Sequence, residues 1–133
     1  MDGRRIGNLL NGSTVLGVLL ARAGRARIRG GPHGLLLAEH VRLPFPDAGA
    51  VTVGDVVLTR GRFADLVRAF PRVLDHEALH ATQWLRFGGL PFLPAYLLGA
   101  AWSLAVSGDR AAHNPFERAA GLADGGYRDV PRR

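Results

Sequence analysis

An α+β fold is what this sequence predicts, and three observations predict it. Two β-branched runs, Val51-Thr52-Val53 and Val56-Val57-Leu58, flank Gly54-Asp55 and read as strands. From about residue 62 the apolar residues recur at helical spacing. At 133 residues the chain has room for one domain and one core. The expected division of residues 1–133 is an N-terminal helix within 1–25, a strand region over 26–60, a helical region over 62–123 and a tail over 124–133.

The elements follow in order. Ile6 to Ala21 is mostly apolar but studded with Asn8, Asn11, Ser13 and Thr14, and Arg4 and Arg5 precede it. It reads as a helix packed on the domain. The rival reading is a signal peptide cut near Ala21-Arg22-Ala23, which the Arg at the cleavage site and the polar interruptions both weaken. Gly30, Gly31, Pro32 and Gly34 then break short apolar runs, as in a hairpin with strands around Arg27-Arg29 and Leu35-Ala38. Pro44 and Pro46 punctuate the chain before the Val-rich pair. A helix begins near Arg62 or Phe63, Pro71 restarts it, and a second runs from about Arg72 to Phe87, where Gly88-Gly89 stops it.

Phe87 to Gly108 is 22 residues without a charge. That length qualifies as a membrane span. Gly88, Gly89, Pro91 and Pro94 delay the helix to about Ala95, however, so a buried helix is the better reading, with a membrane- or partner-facing helix as the alternative. Asn114-Pro115 is an N-cap followed by Pro at the first helical position, opening a short helix to about Ala123. The tail from Gly125 is polar and expected to be loosely held.

Composition bounds the chemistry. There are no cysteines, so disulfides and thiolate metal sites are excluded and any metal rests on His, Asp or Glu. All 17 basic residues are Arg and the net charge is +6. An Arg-only, Ala- and Gly-rich chain is what a GC-rich bacterial genome encodes. Nucleic acid is not an expected partner, because the Arg residues are dispersed and no recognition motif accompanies them. The expected location is the cytoplasm or membrane surface of a bacterium, and oligomeric state is left open.

His76-Glu77-Ala78-Leu79-His80 carries the chemistry. On a helix the two imidazoles point the same way, about 6 Å apart along the axis, the bite a zinc ion needs. Glu77, about 100° round the helix from His76, can lean over the metal and take a proton from water without occupying a ligand position. Random placement of the five His and three Glu would produce this pattern in roughly 0.4 % of shuffled chains. A third ligand is needed. Glu117 is the best placed, in the first turn of the helix opened by Asn114-Pro115; His113, just before that helix, is its rival. Gln83 returns to the face of His76 and could bond a ligand or substrate, or lie on the helix surface. Tyr96, His113, Tyr127 and several Arg are candidates for stabilising an oxyanion.

The order of motifs is similar to that of a known group. His76-Glu77-x-x-His80-x-x-Gln83, Phe87-Gly88-x-x-Pro91-Phe92-x-Pro94-x-Tyr96, Asn114-Pro115-Phe116-Glu117 and the upstream Val51-Thr52-Val53-Gly54-x-Val56-Val57-Leu58 resemble small, largely uncharacterised bacterial H-E-x-x-H proteins over roughly residues 50–120. More distantly the chain resembles minimal gluzincin metallopeptidases. That resemblance implies a small zincin-like domain, with His76, His80 and Glu117 as zinc ligands and Glu77 as general base. The chain departs from the relatives at Ala119 and Ala120, where a second acidic residue is common. Asp55, Asp75, Asp124 or a backbone carbonyl would then have to orient the histidines.

The expected function is a zinc-dependent metallopeptidase-like hydrolase acting on a peptide or protein substrate, with zinc as cofactor, although two His and one carboxylate accept other divalent ions. The alternative, of a different class, is a non-catalytic metal-binding module whose residues 87–108 meet a membrane or a partner.

Overall fold

A computed structural model describes residues 2–44 and 49–133; Pro46, read above as punctuation, lies outside them. Among the described residues there are six α-helices: α1 (Gly3–Leu10), α2 (Ser13–Ala23), α3 (Phe63–Ala69), α4 (Val73–Arg86), α5 (Phe92–Ser107) and α6 (Pro115–Ala120). Four strands, β1 (Arg27–Gly30), β2 (Leu36–Glu39), β3 (Val51–Val53) and β4 (Val56–Leu58), form one mixed sheet in the order β1-β2-β4-β3. The class is α+β.

β1 and β2 pair antiparallel, as do β3 and β4, while β2 runs parallel to β4. Central β4 is buried at all three positions, which its unbroken Val-Val-Leu run anticipates. Register sorts the two faces. Val56, Leu58, Ala38 and Val53 join Ala21 of α2 in one core cluster, and Leu37 and Val57 join Phe63 of α3 and Ala81 of α4 in the other. Thr52 pairs with Val57, which pairs with Leu37, so all three side chains share one face of the sheet. α4 packs along β3 there, and this brings Thr52 to the motif helix. α2 lies so close to the β3-β4 hairpin that a Cβ at Gly17 would stand 2.7 Å from that of Val56.

The N-terminal segment is two helices rather than one. Gly12 adopts φ +83°, a left-handed conformation that breaks the run, and the Asn11 side chain accepts from Ser13 N at 3.0 Å to start α2. The polar residues that interrupt the apolar pattern form a buried node. Asn8, fully buried, donates to Asp55 Oδ1 at 2.9 Å and to the Ala81 carbonyl at 3.0 Å, while its own oxygen faces Ser13 and Asn11. Arg4 completes the carboxylate's shell at 3.0 Å. One amide thus ties α1 to the β3-β4 turn and to α4.

Four further expectations need correction. α5 starts at Phe92, not Ala95, because Pro94 falls in the first turn, where its missing N–H has no intrahelical partner to lose. Nor is α5 a buried helix: Leu97 is 62 % exposed, Leu98 72 % and Trp102 52 %. The residues from Gly125 onward are irregular but held, with Tyr127 N bonded to Leu122 O, Arg133 N to Val106 O, and His113 to the Val130 carbonyl. α6 ends at Ala120, three residues early, where Gly121 turns at φ +97°. Among the described residues no helix is long and apolar enough to cross a membrane.

Asn8→Ala would leave a buried carboxylate and a carbonyl each short of a donor. The expected cost is about 2–3 kcal/mol, read as a lower urea midpoint at unchanged slope.

Candidate metal centre

α4 presents His76 and His80 one turn apart, both buried, with ring centroids 4.7 Å apart. α6 presents Glu117 in its first turn, where Asn114 caps the helix by accepting from Phe116 N. Three atoms converge. His76 Nε2 lies 3.0 Å and His80 Nε2 2.8 Å from Glu117 Oε1, and the two nitrogens are 3.1 Å apart. The edge of a tetrahedral zinc site is roughly 3.3 Å for ligands at zinc–nitrogen and zinc–oxygen distances, so a small outward shift admits the ion.

The outer atoms of the rings decide what the inner ones can be. His76 Nδ1 stands 2.8 Å from the Gly121 carbonyl, which can only accept, so Nδ1 carries the hydrogen. His80 Nδ1 stands 2.8 Å from Gln83 Oε1, and Gln83 is oriented because its amide nitrogen donates to the Phe116 carbonyl at 3.0 Å. In the neutral rings both Nε2 atoms are therefore lone pairs aimed at a carboxylate oxygen. With Glu117 ionised, no distribution of protons over the two rings satisfies all three contacts. One proton, on His80, leaves the His76 lone pair against Glu117; a second sets two N–H groups face to face at 3.1 Å. A divalent cation satisfies all three at once, and these residues are the one His/Asp/Glu group among those described whose ligand atoms converge in this way.

The rest of the shell is complete. Tyr96 Oη donates to Glu117 Oε2. Burial, together with the Glu117 charge, pushes the Tyr96 phenol upward, so it stays a donor. Burial alone would raise Glu117, but the adjoining His76 and His80 rings and the charge His80 carries when protonated outweigh it and hold the carboxyl well below the usual range. Glu77 takes no part in the three-atom cluster. Its Oε2 accepts from Thr52 Oγ1 at 2.7 Å, and burial raises its pKa above the ordinary carboxylate value despite the nearby histidines. Gly125 seals one side: a Cβ there would fall 2.6 Å from His76 Nε2.

Glu77, His80 and Glu117 border a cavity of about 310 Å³ whose walls are mainly apolar, including Val51, Val53, Trp84, Phe92 and Leu97, with Tyr127 and Arg110 also lining it. Of the residues singled out from sequence, His76, His80, Glu77, Glu117, Gln83 and Tyr96 come together here. His113 does not: its Nε2 bonds the Val130 carbonyl at 2.7 Å. Asp55, Asp75 and Asp124 pair with Arg4, with His33 and Arg72, and with Arg72, so none of them orients a histidine. Of the alternatives for orienting the histidines, the backbone carbonyl is the one found at His76, supplied by Gly121, which the sequence did not single out; Thr52 was missed. A strand threonine two residues before a Gly-Asp turn carries no local mark of this role, and nothing local says which backbone carbonyl will reach a ring.

The chain matches no family model, no curated protein and no solved structure. Its chemistry is therefore argued from this geometry alone.

Burial would lower the His80 pKa, but the hydrogen bond and charge of Glu117 prevail and raise it to about 9. A group raised above its unfolded value stabilises the metal-free fold below its ordinary pKa near 6.5 and loses that contribution as pH climbs through about 9. Cation uptake at pH 7 must displace this proton. Calorimetry in buffers of different ionisation heat is expected to read about one proton released, with affinity rising roughly tenfold per pH unit towards pH 9; uptake without proton release contradicts the assignment. Gln83→Leu frees the His80 tautomer and is expected to weaken metal binding by about 10–100-fold, measured by competition with a chromogenic chelator.

Proposed function

We propose that this chain is a zinc-dependent, metallopeptidase-like hydrolase with a zincin-like build of the gluzincin type. The observation that carries the reading is the pairing of two features. Three ligand atoms converge with both imidazole Nδ1 atoms tied to outer acceptors, and a second, non-ligating carboxylate, Glu77, lines the same cavity as His80 and Glu117. A structural site would have four protein ligands and no such carboxylate; three ligands and an adjacent base are the pattern of a catalytic one.

A bound zinc ion supplies Lewis acidity, polarising a carbonyl and making water acidic near neutral pH. The remaining steps belong to side chains. Glu77, with Thr52 fixing one oxygen, takes the proton from water as the water oxygen attacks the carbonyl carbon of the peptide bond. Its burial favours the protonated form, so it can hold that proton and then return it to the leaving amine as the C–N bond breaks. Tyr96 is engaged by Glu117. Tyr127, on the cavity wall with its phenol kept protonated by burial and by the charges of Glu117 and Glu77, is the donor assigned to the oxyanion. The apolar walls suit a peptide bond next to a large apolar side chain.

A non-catalytic, metal-stabilised interaction module is the second reading, and the exposed apolar residues of α5 favour it. Glu77→Gln separates the two. On the hydrolase reading it retains one metal per chain and loses about a hundred- to ten-thousandfold in peptide hydrolysis; unchanged turnover would refute the assignment. Glu117→Ala is expected to lose metal in the same preparation. Tyr127→Phe is expected to lower kcat about a hundred- to thousandfold with KM little changed, measured on a quenched fluorescent peptide library.

A further inference from the structure

α5 is built inside out. Its buried positions are Phe92, Gly99, Ser103 and Ser107, the last three spaced four apart on one line of the helix. Gly99 lets the helix press on α6: a Cβ there would fall 2.6 Å from Asn114 Oδ1. Ser103 Oγ accepts from His113 N at 2.7 Å, and Ser107 Oγ donates to the Ser103 carbonyl at 2.8 Å. The opposite half of the helix, facing solvent, carries Leu93, Leu97, Leu98, Trp102 and Leu104 with no polar residue among its exposed positions from Leu93 to Ala105. A helix packed on a water-soluble domain has the reverse arrangement.

The surroundings of this face are basic. Arg110 is exposed just beyond the end of α5. The C-terminal residues fold back along it, with Arg133 N bonded to the Val106 carbonyl at 2.8 Å and the Arg132 guanidinium 5.8 Å from the Trp102 ring. Among the described residues, Arg110, Arg132 and Arg133 have no carboxylate in an ion pair.

We propose that the outward face of α5 docks on an anionic lipid bilayer, lying in the interfacial plane with Arg110, Arg132 and Arg133 at the level of the headgroup phosphates. Sixteen residues extend only about 24 Å, short of the roughly 30 Å hydrocarbon core, so the helix lies on the membrane rather than crossing it. Charge selects this occupant over a second copy of the chain. In a two-fold contact the patch meets itself, setting one basic rim against another, whereas an anionic surface neutralises the rim. Leu93 and Leu97 also wall the metal-site cavity, so docking places that cavity at the bilayer surface.

The chain reports on its own docking. Its two tryptophans are Trp84, 2 % exposed, and Trp102, half exposed on the proposed face. With phosphatidylglycerol-containing vesicles the emission is expected to shift to the blue and the protein to float with the vesicles; with phosphatidylcholine alone both effects are much weaker. Leu98→Glu, at a site too exposed to disturb folding, is expected to reduce partitioning about tenfold or more. The pair Arg132→Glu and Arg133→Glu is expected to remove the preference for anionic lipid. Two outcomes overturn the proposal: no shift and no flotation with anionic vesicles, or a dimeric protein that Leu98→Glu makes monomeric. None of these readouts uses a peptide substrate, so failure of the hydrolase reading and failure of docking are separately visible.

Discussion

His76 and His80 each give their Nδ1 hydrogen to an oxygen that can only accept it, and the character of the whole centre follows from those two bonds. With the outer nitrogens committed, the inner ones of the neutral rings are lone pairs facing a carboxylate oxygen within 3.0 Å of both, and a proton on His80 answers only part of that demand. The surrounding chain is arranged to keep those bonds. α6 stops at Ala120 so that the Gly121 carbonyl can reach His76, and Gln83 is held by the Phe116 carbonyl so that its oxygen, not its nitrogen, meets His80. Helix ends that would otherwise be local features are therefore parts of the candidate metal site.

The scaffold that holds α4 steady is a polar one. Asn8 joins α1, α4 and the β3-β4 turn, and the sheet contributes Thr52 through register, two residues away from the turn that Asp55 anchors. Trp84, one turn beyond His80, donates its indole N–H to the Thr52 carbonyl at 2.8 Å. The strand that orients Glu77 is thus clamped to the helix that carries it, by one bond on either side of the same residue. A buried carboxylate such as Glu77 needs this precision, since burial makes its charged form costly and any loss of its partner exposes that cost in full.

α5 poses the opposite problem. Its polar residues are used inside the domain, bonding the backbone around Asp109 and His113, and its leucines are left outside. Water is a poor environment for such a continuous apolar face on a small domain. The helix also forms one wall of the cavity beside the candidate metal site, so the apolar face and the cavity share Leu93 and Leu97.

Much of this was legible in the sequence because it is local. The four-residue spacing of His76 and His80, the offset of Glu77, the cap-and-proline start before Glu117 and the valine pair around Gly54-Asp55 depend on helix and turn geometry that a few neighbouring residues determine. The break at Asn11-Gly12 was written in the same segment but was masked by the apolar residues around it. What the sequence by itself determined was therefore the class of fold, the motif helix and the set of groups capable of holding a metal. Tertiary structure alone decided which of Glu117 and His113 reaches the pair, which carbonyl sets the tautomer of His76, that Thr52 faces Glu77, and which side of α5 is covered. Each of these depends on strand register or on the approach of elements 25 or more residues apart, and no local propensity encodes which face of a uniformly apolar helix the rest of the chain will bury.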